Sequence, residues 1–473
     1  MKRRILAVLL GLSMIVLAAC GTKPTPGGQT TEAAKTTAAE KAGDKTEKET
    51  EKATEPAADG QVTIRTTFLE GELSRELLDK FEAENPGIKV VQEAVDDTKM
   101  ASLLATQDAP DVMRCIGVYD IPTYVTRRIA LDLDELMNNS KVIDVDDLLP
   151  ICHVYRYDGT TVGKGPWYGL PKDWSNDFAL FYNKTCFDNA NVDLPSDTEP
   201  MTWNEVVDLA KKLVIKEGDT TVQYGLAMVE NPTMPSFYYL NQYLLSAGED
   251  LSSDDNKSMD FTKPVVGDFL TLWNDAVKSN IGPNPVNNDQ TGGSNLFIGD
   301  QCAMIVTGYW YSGMIRGNEE ASKKTATFGM LPTPMVEGGK RVAPTGSATG
   351  GFIYAQTKHK EEAWKFFEWY FGGEPVDDRA KSGWGLPSFR SKMELLPQAD
   401  DFDKQVYRVT LDELNYGDAF IPINPYLGKA GRPMFEKWVD PFIFDRATLE
   451  ETMQGMTDDA NQTISEMVSV LEG

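Results

Sequence analysis

Apolar and polar positions alternate from residue 61 to 68, with Val62, Ile64, Thr66 and Phe68 on one face and Thr63, Arg65 and Thr67 on the other. A period of two predicts a strand. After the turn-prone Leu69-Glu70-Gly71-Glu72, Ser74 is placed to cap a helix whose apolar face is Leu73, Leu77, Leu78 and Phe81. Asn85-Pro86-Gly87 ends that helix. A second strand is expected over 88–91, a short helix over 100–106 and a third strand over 111–116. Such β-α-β-α-β alternation implies a parallel sheet with right-handed crossovers. Ligands of open α/β sheets bind beyond the carboxyl ends of the strands. That rule nominates Leu69 and Glu70 after the first strand and residues 117–120 after the third.

The rest of the chain is organised around residues 168–184. Pro171 fixes its own φ and keeps Leu170 extended, so the chain passes here without coiling. The apolar run 178–182 then reads as a buried strand. We read 168–184 as a first crossing between two lobes, with residues 172–176 facing the gap. Further on, Thr202-Trp203-Asn204-Glu205 is a capping box that opens a helix. Helices are expected over 238–246 and 265–278, the second with Pro264 near its first position. A buried strand ends at Val306 and delivers Thr307-Gly308-Tyr309-Trp310 at its carboxyl end. Residues 328–331 form a short strand before Pro332-Thr333-Pro334, a return crossing. A strand over 350–355 and an aromatic-rich helix over 360–371 follow, in which Trp364, Phe367 and Tyr370 are core, and Gly372-Gly373 marks a third crossing. The last helix carries Leu449, Met453, Met456, Ala460, Ile464, Met467 and Leu471 on one face.

The first sixty residues lie outside this pattern. Lys2, Arg3 and Arg4 precede an apolar run over 5–19, too short to span a bilayer comfortably. The run ends in Leu17-Ala18-Ala19-Cys20, which resembles a lipobox: Cys20 would be acylated and become the new N-terminus. Residues 21–59 are rich in Thr, Ala, Lys, Glu and Pro and almost free of large apolar residues, so they read as a disordered tether. At 473 residues the chain is too long for one compact core. Removing Lys2, Arg3 and Arg4 from 46 basic groups leaves 43 against 72 acidic ones, a net charge of −29. That balance argues against nucleic acid as a partner. With two histidines in all, His153 and His359, a histidine-centred metal or nucleophile site is not expected, and no cofactor is called for. Cys115, Cys152, Cys186 and Cys302 could pair in three ways or stay as buried thiols.

Several stretches, in order, resemble one family. These are Glu84-Asn85-Pro86-Gly87-Ile88-Lys89-Val90, Ala109-Pro110-Asp111-Val112-Met113, Tyr168-Gly169-Leu170-Pro171 with Leu180-Phe181-Tyr182-Asn183-Lys184, the run from Phe297 to Trp310, and Phe328-Gly329-Met330-Leu331-Pro332. They resemble the extracellular solute-binding proteins of ATP-driven (ABC) importers, family 1, in the cluster of maltose-binding-protein-like lipoproteins that carries oligosaccharides. One departure is Tyr309, where the family has proline. The resemblance implies a type II periplasmic-binding-protein-like fold: two α/β lobes, a hinge, and a ligand cleft between the lobes. It places lobe 1 at 60–170 plus 335–371 and lobe 2 at 171–334 plus 372–473. It further implies a monomer on the outer face of the cytoplasmic membrane, held by its lipid alone, with a permease and an ATPase as partners.

A neutral sugar asks for two kinds of partner. Its hydroxyls need planar or bidentate polar groups, and its C–H faces need an aromatic platform. Trp310 is the first choice of platform, with Tyr309 beside it; Trp174 and Asn176 follow the first crossing. Glu70, Arg114, Tyr119 and Asp120 would contribute from lobe 1, Tyr238 from lobe 2, and Ser347 and Trp384 are further candidates. Three rival readings stay open. One is the same scaffold binding a polyol phosphate, polyamine or peptide. Another is a secreted glycoside hydrolase, which needs two carboxylates across a scissile bond. The third is a purely structural surface protein.

Overall fold

The computed structural model describes residues 60–228, 236–284, 286–287 and 291–472. The targeting segment, Cys20 and the tether fall outside the described residues.

The expected opening appears in register. Strands β1 (Val62–Thr66) and β2 (Ile88–Gln92) run parallel, and β1 also pairs in parallel with β3 (Val112–Ile116). Between β1 and β2 lies the helix Arg75–Glu84, whose N-terminal donor on Leu77 is accepted by the Ser74 hydroxyl. The helix Asp97–Thr106 connects β2 to β3. An antiparallel ribbon, β4 (Arg156–Tyr157) with β5 (Val162–Trp167), had no counterpart in the alternation pattern. Strand β6 (Leu170–Pro171) ends the first crossing's approach, and β7 (Ala179–Asn183) begins the second sheet. That sheet adds β8 (Ile215–Glu217), β9 (Thr220–Met228), β10 (Cys302–Thr307) and β11 (Phe328–Leu331). Strand β12 (Thr349–Ile353) returns to the first sheet.

The two five-stranded sheets have orders β2-β1-β3-β12-β6 and β11-β7-β10-β9-β8. Each is the centre of one α/β lobe. One buried apolar cluster runs from the first sheet onto one face of the second (Phe181, Ile305, Met330), and a separate cluster covers the second sheet's other face (Leu180, Met304, Leu331). The chain therefore passes from lobe 1 to lobe 2 between β6 and β7 and returns between β11 and β12. Prolines 171, 332 and 334 keep both passages extended. In lobe 2, Thr202 and Glu205 form the expected reciprocal capping box. The last helix, Leu449–Glu472, buries Met456, Ala460 and Ile464 completely. All four described cysteines are buried and unpaired, which closes the disulfide alternative for them.

The third passage differs from expectation. The helix Lys360–Gly372 packs its aromatic face on lobe 1, with Phe366 on Phe81 (5.4 Å) and Tyr370 on Phe68 (5.0 Å). Beyond it the chain keeps its ties to lobe 1, with Leu149 N–H donating to the Ser388 carbonyl (2.9 Å) and the Ser388 hydroxyl to the Pro171 carbonyl (2.7 Å), and touches lobe 2 at Gly383, whose carbonyl accepts from Arg316 (2.7 Å). Only the helix Asp401–Glu413 reaches β11, through Gln405, which both accepts from and donates to the Met330 backbone. Gly372 marks a close approach instead of a crossing, since a Cβ there would stand 2.5 Å from Ile143 Cγ1.

Candidate ligand-binding site between the two lobes

The carboxyl end of β1 turns back through Leu69, whose carbonyl accepts from the N–H groups of Glu72 and Leu73, both at 2.9 Å. This turn brings Glu72 over the strand ends and leaves Glu70 exposed. Glu72 Oε2 accepts from Arg114 Nε at 2.7 Å, and its Oε1 lies 3.3 Å from Lys172 Nζ. Lys172 also pairs with Asp173. The result is a polar floor of two carboxylates and two cations. Burial pushes the Glu72 carboxyl upward, but Arg114 and Lys172 outweigh it and hold the group below its ordinary range. Of the lobe 1 candidates Glu70 and Arg114, Arg114 lies on β3 paired with Glu72, and Glu70 is exposed on the turn. Lys172 and Asp173 fall in the stretch expected to face the gap.

The hinge lies beside this floor. Asp177, buried, accepts at Oδ2 from Gly346 N–H (2.8 Å), Ser347 N–H (3.0 Å), the Ser347 hydroxyl (2.8 Å) and the Thr345 hydroxyl (3.2 Å). It thereby ties the first crossing to the second. Burial pushes its carboxyl up, the four donors pull it down, and it settles at about 6. Ala348, next in line, holds a left-handed φ of 48°, and its carbonyl accepts from the buried Tyr155 hydroxyl at 2.9 Å. A non-glycine residue in that region carries strain of order 1 kcal/mol, which the surrounding contacts must outweigh. Asn176, fully buried, donates to the Ala343 carbonyl at 2.8 Å and so belongs to the hinge interior. Nothing in the local sequence separates Asp177 from a surface aspartate. Its burial follows from two distant segments meeting.

The aromatic candidates divide by environment. Trp174 is 2% exposed, with its indole N–H on the Pro387 carbonyl (2.9 Å), so it is core and offers no platform. Tyr309 is 1% exposed and likewise interior. Trp310 opens the helix Trp310–Gly317, is half-buried, and its N–H donates to the Ser175 hydroxyl at 3.3 Å. Trp384 is 52% exposed and lies two residues before Leu386, which pairs with Trp174 beside Asp173. Tyr238 stacks with Phe178 (4.5 Å) and with Tyr119 (6.5 Å). Asp120 caps the Ile116 N–H at 2.8 Å and lies 3.7 Å from Lys429. Residues 117–120, nominated at the end of the third strand, form the first turn of the helix Gly117–Thr126. The structure thus brings Arg114, Tyr119, Tyr238, Trp310, Ser347 and Trp384 to the junction of the lobes. It keeps Trp174, Asn176 and Tyr309 in the interior.

Two strand-bearing lobes joined by extended crossings, with strand ends meeting at the junction, are the architecture expected above. The family model for bacterial extracellular solute-binding protein matches residues 66–374. The chain belongs to this family. Among relatives of this solute-binding protein, a binding protein of Brucella abortus (strain 2308) is 26% identical over 356 residues, covering 74% of this chain and 79% of the relative. The erythritol/L-threitol-binding protein of Mycolicibacterium smegmatis is 23% identical over 349 residues, covering 71% of this chain and 69% of the relative. Among solved structures, the ABC substrate-binding protein Lmo0181 from Listeria monocytogenes, in complex with cycloalternan, superposes with a TM-score of 0.69. It shares 21% identity and covers 86% of this chain and 99% of its own. The family is one of binding proteins, and its members work outside the cytoplasm.

Among the described residues of this solute-binding protein, no group of three His, Cys, Asp or Glu side chains could hold a metal ion, and no helix is long and apolar enough to cross a membrane. A groove of about 590 Å³ lined by Asp132, Glu135, Trp364 and Glu368 shares no residue with the junction.

Proposed function

We propose that this solute-binding protein captures a neutral sugar or polyol between its lobes and hands it to an ABC permease and its ATPase. The observation that carries the reading is the composition of the junction. Glu72, Arg114, Lys172 and Asp173 supply paired donors and acceptors whose charges cancel, and Trp310 and Trp384 supply aromatic surface. Cancelled charge suits a hydroxyl-rich neutral ligand. A phosphorylated polyol or a polyamine would leave one sign of charge unmatched, and desolvating such a charge is costly. The binding of cycloalternan by one structural neighbour and of erythritol or threitol by one relative supports the same chemistry.

In this reading the contacts to Arg114, Trp310, Ser347 and Trp384 are made by ligand, and closure follows because it touches both lobes. Lobe 1 comprises 60–170 and about 344–396, and lobe 2 the remainder of the folded body: Met335 and Lys340 bond to Met201, Trp203 and Ser246, Arg341 pairs with Glu413, and the helix Asp401–Glu413 packs on β11. The protein is a monomer anchored outside the cell by lipid on Cys20, and it breaks no bond. Glu72, held ionised by two cations, is unsuited to act as the general acid that glycoside hydrolysis requires.

The test is a calorimetric and melting-point screen of mono-, di- and oligosaccharides and polyols. At least one should raise the melting midpoint and release or absorb heat at micromolar protein. Trp384→Ala should abolish that binding while leaving the unliganded midpoint nearly unchanged, because the ring is 52% exposed. Trp310→Ala should also abolish binding, with some loss of midpoint because this ring is half-buried against Tyr311. A screen without a single binder, or cleaved product after incubation, would reject the reading.

A further inference from the structure

We propose that the cleft is blind at its tyrosine end, so that the protein recognises its ligand by one terminus and lets it extend only toward Trp384. The inference rests on the sugar-or-polyol reading and deepens it. Tyr119 belongs to lobe 1 and Tyr238 to lobe 2, and their rings lie face to face, 6.5 Å between centroids at 29°. A sugar ring sandwiched between two aromatic faces needs about 7–8 Å, two layers of roughly 3.5–4.0 Å carbon contact. No such ring fits between these two. Tyr238 is hemmed in: Phe178 stacks on it at 4.5 Å, and its hydroxyl is so close to Gly346 that any Cβ there would collide with it.

The pair is braced by further contacts between the lobes on the same side. Asp120 lies 3.7 Å from Lys429, the Thr123 hydroxyl donates to the Pro425 carbonyl (3.4 Å), and Asn256 donates to the Thr160 carbonyl (3.2 Å). From this end the junction runs through Gly346 and Ser347 to Asp177, then Ser175, then Asp173, and so to Trp384. There the indole is 52% exposed. A ligand seated on the polar floor therefore abuts the tyrosine pair with one end and meets solvent and an aromatic face with the other. The two tyrosines set specificity by exclusion, a steric device that selects against ligands lacking a free terminus of the right kind.

Two measurements test this. In the first, linear oligosaccharides of one to six units and several linkages are titrated into the purified protein. Each binder is repeated with an aryl group at its reducing end and with a branching unit at its non-reducing end. One of the two modifications should abolish binding and the other should be tolerated. Binding confined to single units, or loss of binding with both modifications, would mean that both ends are closed and overturns the proposal. The Tyr119→Ala, Tyr238→Ala double variant should regain the blocked ligand. Tolerance of both modifications, or a double variant with an unchanged ligand profile, overturns the proposal.

The second measurement needs no ligand. Nitroxide labels on Lys164→Cys and Asp254→Cys, both exposed and flanking the Thr160–Asn256 contact, should report one short separation in the unliganded protein. A long or broadly spread separation overturns the blind end. A short separation together with a screen empty of binders rejects the carbohydrate reading and leaves the blind end standing.

Discussion

Glu72 and Asp177 lie on the same hinge-side junction, and each carboxylate is largely or wholly withdrawn from water. Glu72 meets full charges, with Arg114 Nε at 2.7 Å and Lys172 Nζ at 3.3 Å. Asp177 meets only dipoles, two backbone N–H groups and two hydroxyls, all on one oxygen. Burial raises both. The two cations overcome it at Glu72, whose carboxyl is held down, whereas the dipoles fall short at Asp177, which stands at about 6. The contrast separates a region built to present charge to the gap from one built to tie two crossings together. It also fixes opposite pH responses on the two sides of the hinge.

The strongest way to break the comparison is Asp177→Ala. It strands the N–H groups of Gly346 and Ser347 and the Thr345 hydroxyl, and should cost about 4 kcal/mol in urea unfolding. A loss below about 1 kcal/mol would mean that Asp177 is no tie. Next comes the pH profile of the wild type minus that of Asp177→Asn. A folded carboxyl at about 6 binds more protons than the unfolded one at about 3.9, so stability must fall as pH rises through that window. The difference curve should therefore gain roughly 2–3 kcal/mol between pH 6.5 and pH 4. A flat curve would place Asp177 in the ordinary range.

Glu72→Gln should cost about 2 kcal/mol, since it leaves the buried Lys172 with Asp173 alone and Arg114 without a carboxylate. The pH sign is reversed here. A lowered folded value gives stability that is present above about 4.3 and lost as pH falls through it, so the variant should converge on the wild type in acid. Divergence in acid would contradict the charge-paired role. The smallest effect should come from Ser347→Ala, about 1 kcal/mol, with the Asp177 carboxyl moving further up in an NMR titration because one donor is gone. An unchanged titration would show that the hydroxyl contributes nothing.

Local signals were read without difficulty. The Ser74 cap, the Thr202–Glu205 box, the alternation of β1 and the stripe of the last helix each depend on a few neighbouring residues, and each element lies where its pattern put it. Less legible was anything that required two distant segments to meet. Trp174 and Trp384 look equivalent as tryptophans near a crossing, yet one is 2% and the other 52% exposed. Glu70 and Glu72 both follow β1, and only the turn at Leu69 decides which of them reaches Arg114. Gly372-Gly373 read as a passage between lobes because a glycine pair is a turn signal, whereas the helix end was pressed against Ile143.

By itself, then, the amino-acid order determined the alternating strands and helices, the extended crossings at Pro171 and Pro332, and membership in a family of two-lobed binders. These follow from periodicity, capping and proline geometry, which act over a handful of residues. Tertiary structure alone decided which carboxylate is paired, which tryptophan faces the gap, that Asp177 fastens residues 168 and more positions away, and that Tyr119 meets Tyr238. Those outcomes depend on burial and on contacts across long separations, and burial is a property of the folded surroundings that no single side chain carries with it.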